Sequence, residues 1–169
     1  NSLEMGAWSN AQQAEYRTAF EGRANGVPVV LATDATAAAL RTIGARRIAV
    51  LSPMSPEHSE RVKSYYTDQG FEMPYGTSLM VEKSEDLINM TADDAIAAFE
   101  RINTDDVDTL LHVGGGLGIV SHIEAIEARF GKPLVSVNAA TYWYALRKIG
   151  MTDPMPGFGQ LLMRTDVTE

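Results

Sequence analysis

Three consecutive glycines in the second half of the chain form the pattern with the clearest chemical use. Gly114, Gly115 and Gly116 follow an apolar run at residues 107–113 (VDTLLHV), and helical spacing resumes after them. Glycines let a backbone approach a ligand closely, and peptide N–H groups near a helix N-terminus can bind an anion. The spacing fits neither the GxGxxG dinucleotide motif nor a P-loop. The pattern therefore indicates either an anion-recognising loop or a tight strand-to-helix turn.

Titratable side chains near the predicted strand ends have plainer structural explanations. His112 precedes the end of the run and could act as a general base, but a single strand histidine is more often packed. Asp34 follows another apolar run. A helix cap is the plainer interpretation of this residue, and a carboxylate of a binding site is the alternative. No histidine pair has metal-ligand spacing with a carboxylate, the chain has no cysteine, and no G-x-S-x-G elbow occurs. We therefore expect no metal, no cofactor, and no thiolate or hydrolase nucleophile within these residues.

The three glycines are positioned by the strands and helices around them. In the sequence, short apolar runs alternate with amphipathic helical patterns. Strands are predicted at residues 27–32, 48–51, 71–80 (an edge segment), 107–113 and 133–137. Helices are predicted at residues 10–23, 33–43, 57–69, from 91 onward, 119–130 and 139–149. Apolar strands between amphipathic helices indicate an α/β fold with a doubly wound, mostly parallel sheet. Ligands of such sheets bind beyond the carboxyl ends of the strands.

Two of these helices carry more specific predictions. The second is expected to begin with Thr33-Asp34 as its cap and to end at Gly44. The last is expected to carry Tyr142, Leu146 and Ile149 on one face, and Tyr142 and Trp143 are expected to pack it against the sheet.

The formal net charge of −8 over 169 residues argues against nucleic acid as a partner, because such proteins neutralise phosphates with clustered Lys and Arg. No run approaches the ~18 apolar residues that a membrane span needs, and no signal peptide pattern opens the chain. We therefore expect a cytoplasmic protein with no membrane partner. Because the chain begins with Asn1 instead of Met, a trimmed or partial product is a further expectation.

Four stretches together resemble one branch of a known superfamily. They are GVPVVLATDATAAALRTIGARRIAVLSP (26–53), YYTDQGFE (65–72), DTLLHVGGGL (108–117) and IEARFGKPLVSVNAATYWYALRKIGMTDPMPGFGQLL (126–162). They are similar to the maleate cis-trans isomerase and arylmalonate decarboxylase branch of the aspartate/glutamate racemase superfamily. The resemblance implies two similar α/β lobes with a small-acid site between them, reactive cysteines at the strand ends, and homodimers. By this comparison, residues 1–26 are the remnant of an N-terminal lobe, residues 27–138 form an α/β lobe, and residues 139–169 are a closing helix and tail that pack toward the N-terminal lobe.

The chain departs from the family pattern at the positions that carry chemistry. The family's second cysteine aligns with Gly114, a tyrosine aligns with Met54, and an asparagine aligns with Ser59. The loop of the first cysteine falls at Ser2 or just before Asn1. The resemblance therefore implies that the scaffold is kept while the acid–base machinery is changed.

The resemblance to the family implies a binding site for a small carboxylic acid. Its residues are Ser2, Leu3, Ser52, Met54, Ser59, Gly114, Gly115 and Gly116. Three hypotheses stay open at this point. The protein is a divergent isomerase, decarboxylase or lyase without the usual thiol pair, or a catalytically silent homologue that binds a small acid or a partner subunit. The third is that the chain is part of a cysteine-using enzyme whose thiol lies upstream of Asn1.

Overall fold

The structure, a computed structural model, describes residues 9–53, 56–79 and 84–168. The α-helices are α1 (Asn10–Glu21), α2 (Ala32–Ile43), α3 (Pro56–Asp68), α4 (Ala92–Glu100), α5 (Ile123–Phe130) and α6 (Val137–Lys148). The strands are β1 (Arg47–Ser52), β2 (Glu72–Ser78), β3 (Thr109–His112) and β4 (Leu134–Ser136). Short 3-10 helices lie at Ser84–Asn89, Val120–His122 and Leu161–Met163. No helix in these described ranges has the length and apolarity that crossing a membrane requires.

The four strands form one parallel sheet in the order β2-β1-β3-β4. From β1 the chain moves outward to β2, then crosses back over β1 to β3 and continues to β4. Because parallel crossovers are right-handed, connections that run in opposite directions place their helices on opposite faces of the sheet. The predicted doubly wound α/β fold is therefore confirmed. The direction of strand addition reverses between β1 and β3, and ligands of such sheets bind beside this reversal, at the carboxyl ends of the strands.

The interior strands are apolar because helices cover both faces of the sheet. Ile48, Val50 and Leu51 of β1 and Leu110 and Leu111 of β3 have no exposed surface. Full burial of such a side chain stabilises the fold by ~1.5–3 kcal/mol. Both strands were predicted from these apolar runs and are confirmed, as is β2 at the edge of the sheet.

Predictions of helix ends from local residues are also confirmed. Gly44 ends α2 with φ 80°, and Gly131 ends α5 with φ 67°; both lie in the left-handed region that glycine adopts without strain. Thr91 caps α4, since its hydroxyl accepts from the Asp94 N–H at 3.3 Å. In return the Asp94 carboxylate accepts from the Thr91 N–H at 2.8 Å.

The strand predicted at residues 27–32 is wrong. Residues 27–31 belong to no strand, the side chain of Val27 is 67% exposed, and α2 already begins at Ala32. An apolar run becomes a strand only where another strand can pair with its N–H and C=O groups, and no strand in the described part of the chain does so here.

The cap predicted at Thr33-Asp34 is wrong as well, because α2 begins one residue before this pair, with Leu31 at its N-cap. The Thr33 hydroxyl is buried and donates to the side-chain oxygen of Gln13 at 3.4 Å. The Asp34 carboxylate accepts from Nε of Arg17 at 3.0 Å. Both side chains therefore connect α2 to α1 instead of capping α2.

Helix α6 turns a different face to the core from the one predicted. Trp143 is fully buried, as predicted, and its indole N–H donates to the Arg164 carbonyl at 3.0 Å. Tyr142 is 53% exposed and Ile149 is 60% exposed, while Leu146 is only half-buried. The predicted face is wrong because α6 packs against α2 and the C-terminal tail as well as the sheet. Those contacts determine which face is covered.

Candidate functional site

The glycine turn (residues 114–116) continues directly from β3 at the carboxyl edge of the sheet. The Val113 N–H donates to the Leu51 carbonyl at 3.0 Å, which holds the start of the turn beside the end of β1. Gly114 is buried with φ 93°, a left-handed conformation that side chains rarely adopt, whereas the next two glycines are exposed. The turn therefore lies where the strand order reverses, between β1 and β3.

The peptide N–H groups of the glycine turn donate hydrogen bonds to no residue that the structure describes. One carbonyl of the turn is held, since that of Gly115 accepts from Nδ2 of Asn138 at 3.0 Å. Successive backbone N–H groups in such a turn form a concave binding site for anions. The arrangement can therefore bind a carboxylate or a similar group.

The glycine turn is not followed at once by a helix. The helix predicted at residues 119–130 begins only at Ile123, after a 3-10 turn at Val120–His122. The dipole of α5 therefore does not support the glycine turn, which corrects that part of the anion-loop prediction. Helix α6 contacts the turn instead, because Asn138 lies in its first helical turn. The positive end of the α6 dipole favours an anion at this place.

A groove of about 560 Å³ opens beside the glycine turn. The residues lining it come from the turn, the start of α2 and one side of α6, and they are Gly115, Ala32, Val137, Asn138, Thr141, Tyr142 and Ala145. Its size suits a small organic ligand. The Thr141 hydroxyl donates to the Val137 carbonyl at 2.7 Å inside the helix. Among these lining residues only Tyr142 has a titratable side chain.

The described residues among the predicted serines, Ser52 and Ser59, do not line the groove. Ser52 is buried at the end of β1, and its register partner is Ser78 of β2. Ser59 is buried in α3, and its hydroxyl has no hydrogen-bond partner among the described residues. Ser2, Leu3 and Met54 lie outside the described residues. The structure brings together Ser52 and the glycine turn, while ligand contact by any of these residues stays a prediction.

His112 is packed into the core beneath the glycine turn. Its ring Nδ1 lies 3.5 Å from the Ser136 hydroxyl, and Nε2 has no partner among the described residues. Burial lowers the pKa of His112 to about 4, so the imidazole is neutral at physiological pH. It does not line the groove, which favours the packed interpretation over a general base.

Asn138 and Tyr142 line the groove, and sequence reasoning did not identify them as site residues. A usable signal was present for Asn138, because it follows β4 by two residues. The carboxyl ends of neighbouring parallel strands share one edge, so the rule that pointed to the glycine turn also points to the residues after β4. The sequence indicates a packing role for Tyr142. The structure shows instead that its side chain is exposed and lines the groove.

These features define a doubly wound α/β protein with a small-ligand groove at the carboxyl edge of its sheet. The family described as arylmalonate decarboxylase matches residues 8–162, and the chain belongs to this family. It is 30% identical over 144 residues to arylmalonate decarboxylase from Bordetella bronchiseptica, covering 82% of this chain and 59% of that protein. It is 21% identical over 156 residues to maleate isomerase from Alcaligenes faecalis, covering 92% of this chain and 62% of that protein.

The fold agrees with solved structures of the same kind. The maleate cis-trans isomerase of Nocardia farcinica bound to TRIS superposes with a TM-score of 0.85 at 23% identity, covering 95% of this chain and 67% of that chain. The present chain spans about three fifths of the length of the two enzymes from Bordetella bronchiseptica and Alcaligenes faecalis. The resemblance predicted from the sequence is confirmed at the level of family and fold.

Proposed function

We propose that the groove binds a small carboxylic acid, with one carboxylate on the N–H groups of the glycine turn. The observation that carries this proposal is the set of N–H groups that donate to no described residue, at the carboxyl end of β3 and beside a groove. Two relatives are named for maleate and arylmalonate, which are small dicarboxylic acids. The membership of this family supports the same class of ligand here.

Peptide dipoles are the proposed means of holding the carboxylate. No Lys or Arg is among the described residues that line the groove. A carboxylate would therefore be stabilised by backbone N–H groups and by the N-terminal end of α6. Apolar walls formed by Ala32, Val137 and Ala145 would contact the carbon skeleton of the acid.

For the reaction we propose an isomerase, decarboxylase or lyase type of chemistry to which these 169 residues contribute no thiol, since they include no cysteine. If a malonate loses carbon dioxide, the electron pair of the broken bond passes into the remaining carboxylate, which the glycine turn would stabilise. The phenol of Tyr142 is the groove side chain able to donate a proton to the carbon, and water would then reprotonate the phenolate.

A second candidate function is silent binding of a small acid. The observation that favours it is the scarcity of acid–base groups, because Tyr142 is the one titratable side chain among the described groove residues. A protein with this groove could bind a carboxylate without turning it over. One experiment separates catalysis from binding without turnover.

The test incubates the protein with maleate, phenylmalonate and aspartate in heavy water and follows the carbon-bound hydrogens by NMR. We expect deuterium incorporation or product formation, and we expect Tyr142→Phe to reduce the rate by ~10²–10⁴-fold while binding persists. Saturable binding without exchange supports the silent alternative. Absence of both binding and exchange would contradict both candidates.

A substitution in the turn tests the site itself. A Cβ added to Gly115 would lie 2.8 Å from Oδ1 of Asn138, whereas a Cβ on Gly118 meets nothing within 4 Å. We expect Gly115→Val to weaken maleate or phenylmalonate binding by at least ~10-fold, about 1.4 kcal/mol. Gly118→Val is the matched control and should bind normally. Equal affinities for both variants, measured by calorimetry on folded protein, would place the ligand elsewhere.

A further inference from the structure

Asn138 donates a hydrogen bond to the glycine turn, and its side-chain amide fills the space beside Gly115. Nδ2 donates to the Gly115 carbonyl at 3.0 Å, and Oδ1 lies 2.8 Å from the place where a Cβ on Gly115 would be. The φ of Gly115 is not in the left-handed region, so its backbone would accept an L side chain without strain. A side chain is therefore excluded at this position by Asn138 and not by the backbone conformation.

This contact determines the direction of one peptide group. No peptide bond in the described part of the chain is cis. In a trans peptide the C=O and N–H groups point in opposite directions, so a carbonyl held toward Asn138 turns the Gly116 N–H to the other side. Flanking glycines impose little conformational restriction, so without the hydrogen bond this peptide could rotate.

The turn is also held from the side of Gly116. A Cβ added there would lie 2.8 Å from Cδ1 of Leu87, a buried residue of the 3-10 helix Ser84–Asn89. Leu87 restrains the position of the turn by packing, but it has no polar atom that can orient a peptide group. Among the residues that the structure describes, Asn138 is the one whose side chain holds a peptide group of the turn by a hydrogen bond.

We propose that Asn138 is the positioning residue of the carboxylate site. Its hydrogen bond to the Gly115 carbonyl keeps the Gly116 N–H available to an anion and keeps that carbonyl away from it. This inference rests on the proposed binding function. If the peptide turned over, the carbonyl dipole would face the carboxylate and repel it, so the orientation of a single peptide changes attraction into repulsion.

The first experiment replaces Asn138 and measures maleate and phenylmalonate affinity by calorimetry and by ¹⁵N NMR titration. We expect Asn138→Ala to bind ~3- to 10-fold more weakly, as follows from loss of one hydrogen bond of ~0.5–1.5 kcal/mol. Asn138→Asp should bind still more weakly, because a carboxylate cannot donate to the carbonyl and repels an anion. Unchanged affinity in both variants would overturn the proposal.

A second readout follows the peptide directly and needs no ligand. In the wild type we expect a scalar coupling across the hydrogen bond between Nδ2 of Asn138 and the Gly115 carbonyl carbon. In Asn138→Ala the Gly116 amide resonance should shift and its hydrogen exchange should change, while the rest of α6 keeps its spectrum. An unaltered Gly116 resonance would show that the peptide does not depend on Asn138.

A double-mutant cycle separates positioning from general damage to the loop. Gly115→Ala should weaken binding because the methyl group displaces the Asn138 amide. Once Asn138→Ala has removed that amide, adding Gly115→Ala should have little further effect, so the two losses are not additive. Gly118→Ala is the matched control, since its methyl group meets nothing within 4 Å. Fully additive losses would contradict the inference.

The outcomes distinguish failure of this inference from failure of the proposed function. If the wild type binds neither maleate nor phenylmalonate, the proposed function fails, and the Gly116 resonance alone decides whether Asn138 orients the turn. If the wild type binds and Asn138→Ala binds equally well, the proposed function survives and the positioning role is overturned.

Discussion

His112 is a titratable residue that lies entirely away from water. Its imidazole is fully buried, and burial lowers its pKa from 6.5 to about 4. Between these two values the unfolded chain binds a proton that the folded protein does not. Stability therefore rises with pH through this interval and is lost as the pH falls from about 6.5 toward 4.

We predict that this single group removes about 3 kcal/mol from the free energy of unfolding between pH 7 and pH 4. The measurement is urea unfolding at several pH values, comparing the wild type with His112→Leu. The variant should lose this part of the pH dependence, because its side chain does not titrate. His122→Leu is the control, since that histidine is exposed. Parallel pH profiles for the wild type and His112→Leu would show that the imidazole is not buried as described.

The backbone conformation of Gly114 bears on the alignment of a family cysteine with this position. The resemblance aligns a family cysteine with this position, but the chain adopts φ 93° there. A side chain held in that region costs ~1–3 kcal/mol. A cysteine at this position would therefore carry that strain unless the turn changed its backbone conformation.

At the scale of elements, α6 and the C-terminal tail are joined by one guanidinium group. Arg147 donates to the Met151 carbonyl at 2.6 Å, to the Asp153 carbonyl at 3.3 Å, and to the Arg164 carbonyl at 2.7 Å and 3.1 Å. The indole of Trp143 donates to the same Arg164 carbonyl. Two side chains one helical turn apart thus bind the backbone of a segment that has little regular structure.

We predict that Arg147→Ala loosens residues 151–168 and lowers the free energy of unfolding by ~1–2 kcal/mol. Arg147→Lys should rescue little, because an ammonium group cannot reach several carbonyls in the fixed fork of a guanidinium. Hydrogen exchange mass spectrometry reads the protection of the tail. Arg164→Ala is the matched control, since Arg164 contributes its backbone carbonyl to these contacts. Unchanged protection of the tail in Arg147→Ala would contradict this account.

At the scale of the whole molecule, several large apolar side chains are left uncovered. Tyr142 and Ile149 lie two helical turns apart, and Val27 and Met151 are also exposed. The homodimer that the family resemblance implies stays a prediction, as do the three-part division of the chain and a cytoplasmic location. Covering these side chains would remove apolar surface from water.

We predict that the protein dimerises at micromolar concentration and that Ile149→Ser weakens this association. Sedimentation velocity over a range of concentrations measures it. Tyr75→Ser is the control, because Tyr75 is an exposed apolar residue on β2, at the opposite edge of the sheet from β4. A monomer at all concentrations would rule out the dimer, and equal effects of both substitutions would place the contact elsewhere.

The amino-acid sequence by itself determined the features that local physics controls. Apolar residues at 48–51 and 110–111 predict buried strands, Thr91 followed by two aspartates predicts the start of a helix, and Gly44 predicts a helix end. Each depends on residues close in the chain, and each is confirmed. The glycine turn was recognised for the same reason, and so was the parallel α/β architecture.

The tertiary structure alone decided which groups meet. Residues 27–31 belong to no strand because no described strand pairs with them, and α6 exposes Tyr142 because α2 and the tail cover its other side. Asn138 reaches the Gly115 carbonyl from 23 residues away in the chain. Periodicity describes what a segment can bury, whereas pairing and contact depend on neighbours that are distant in the sequence.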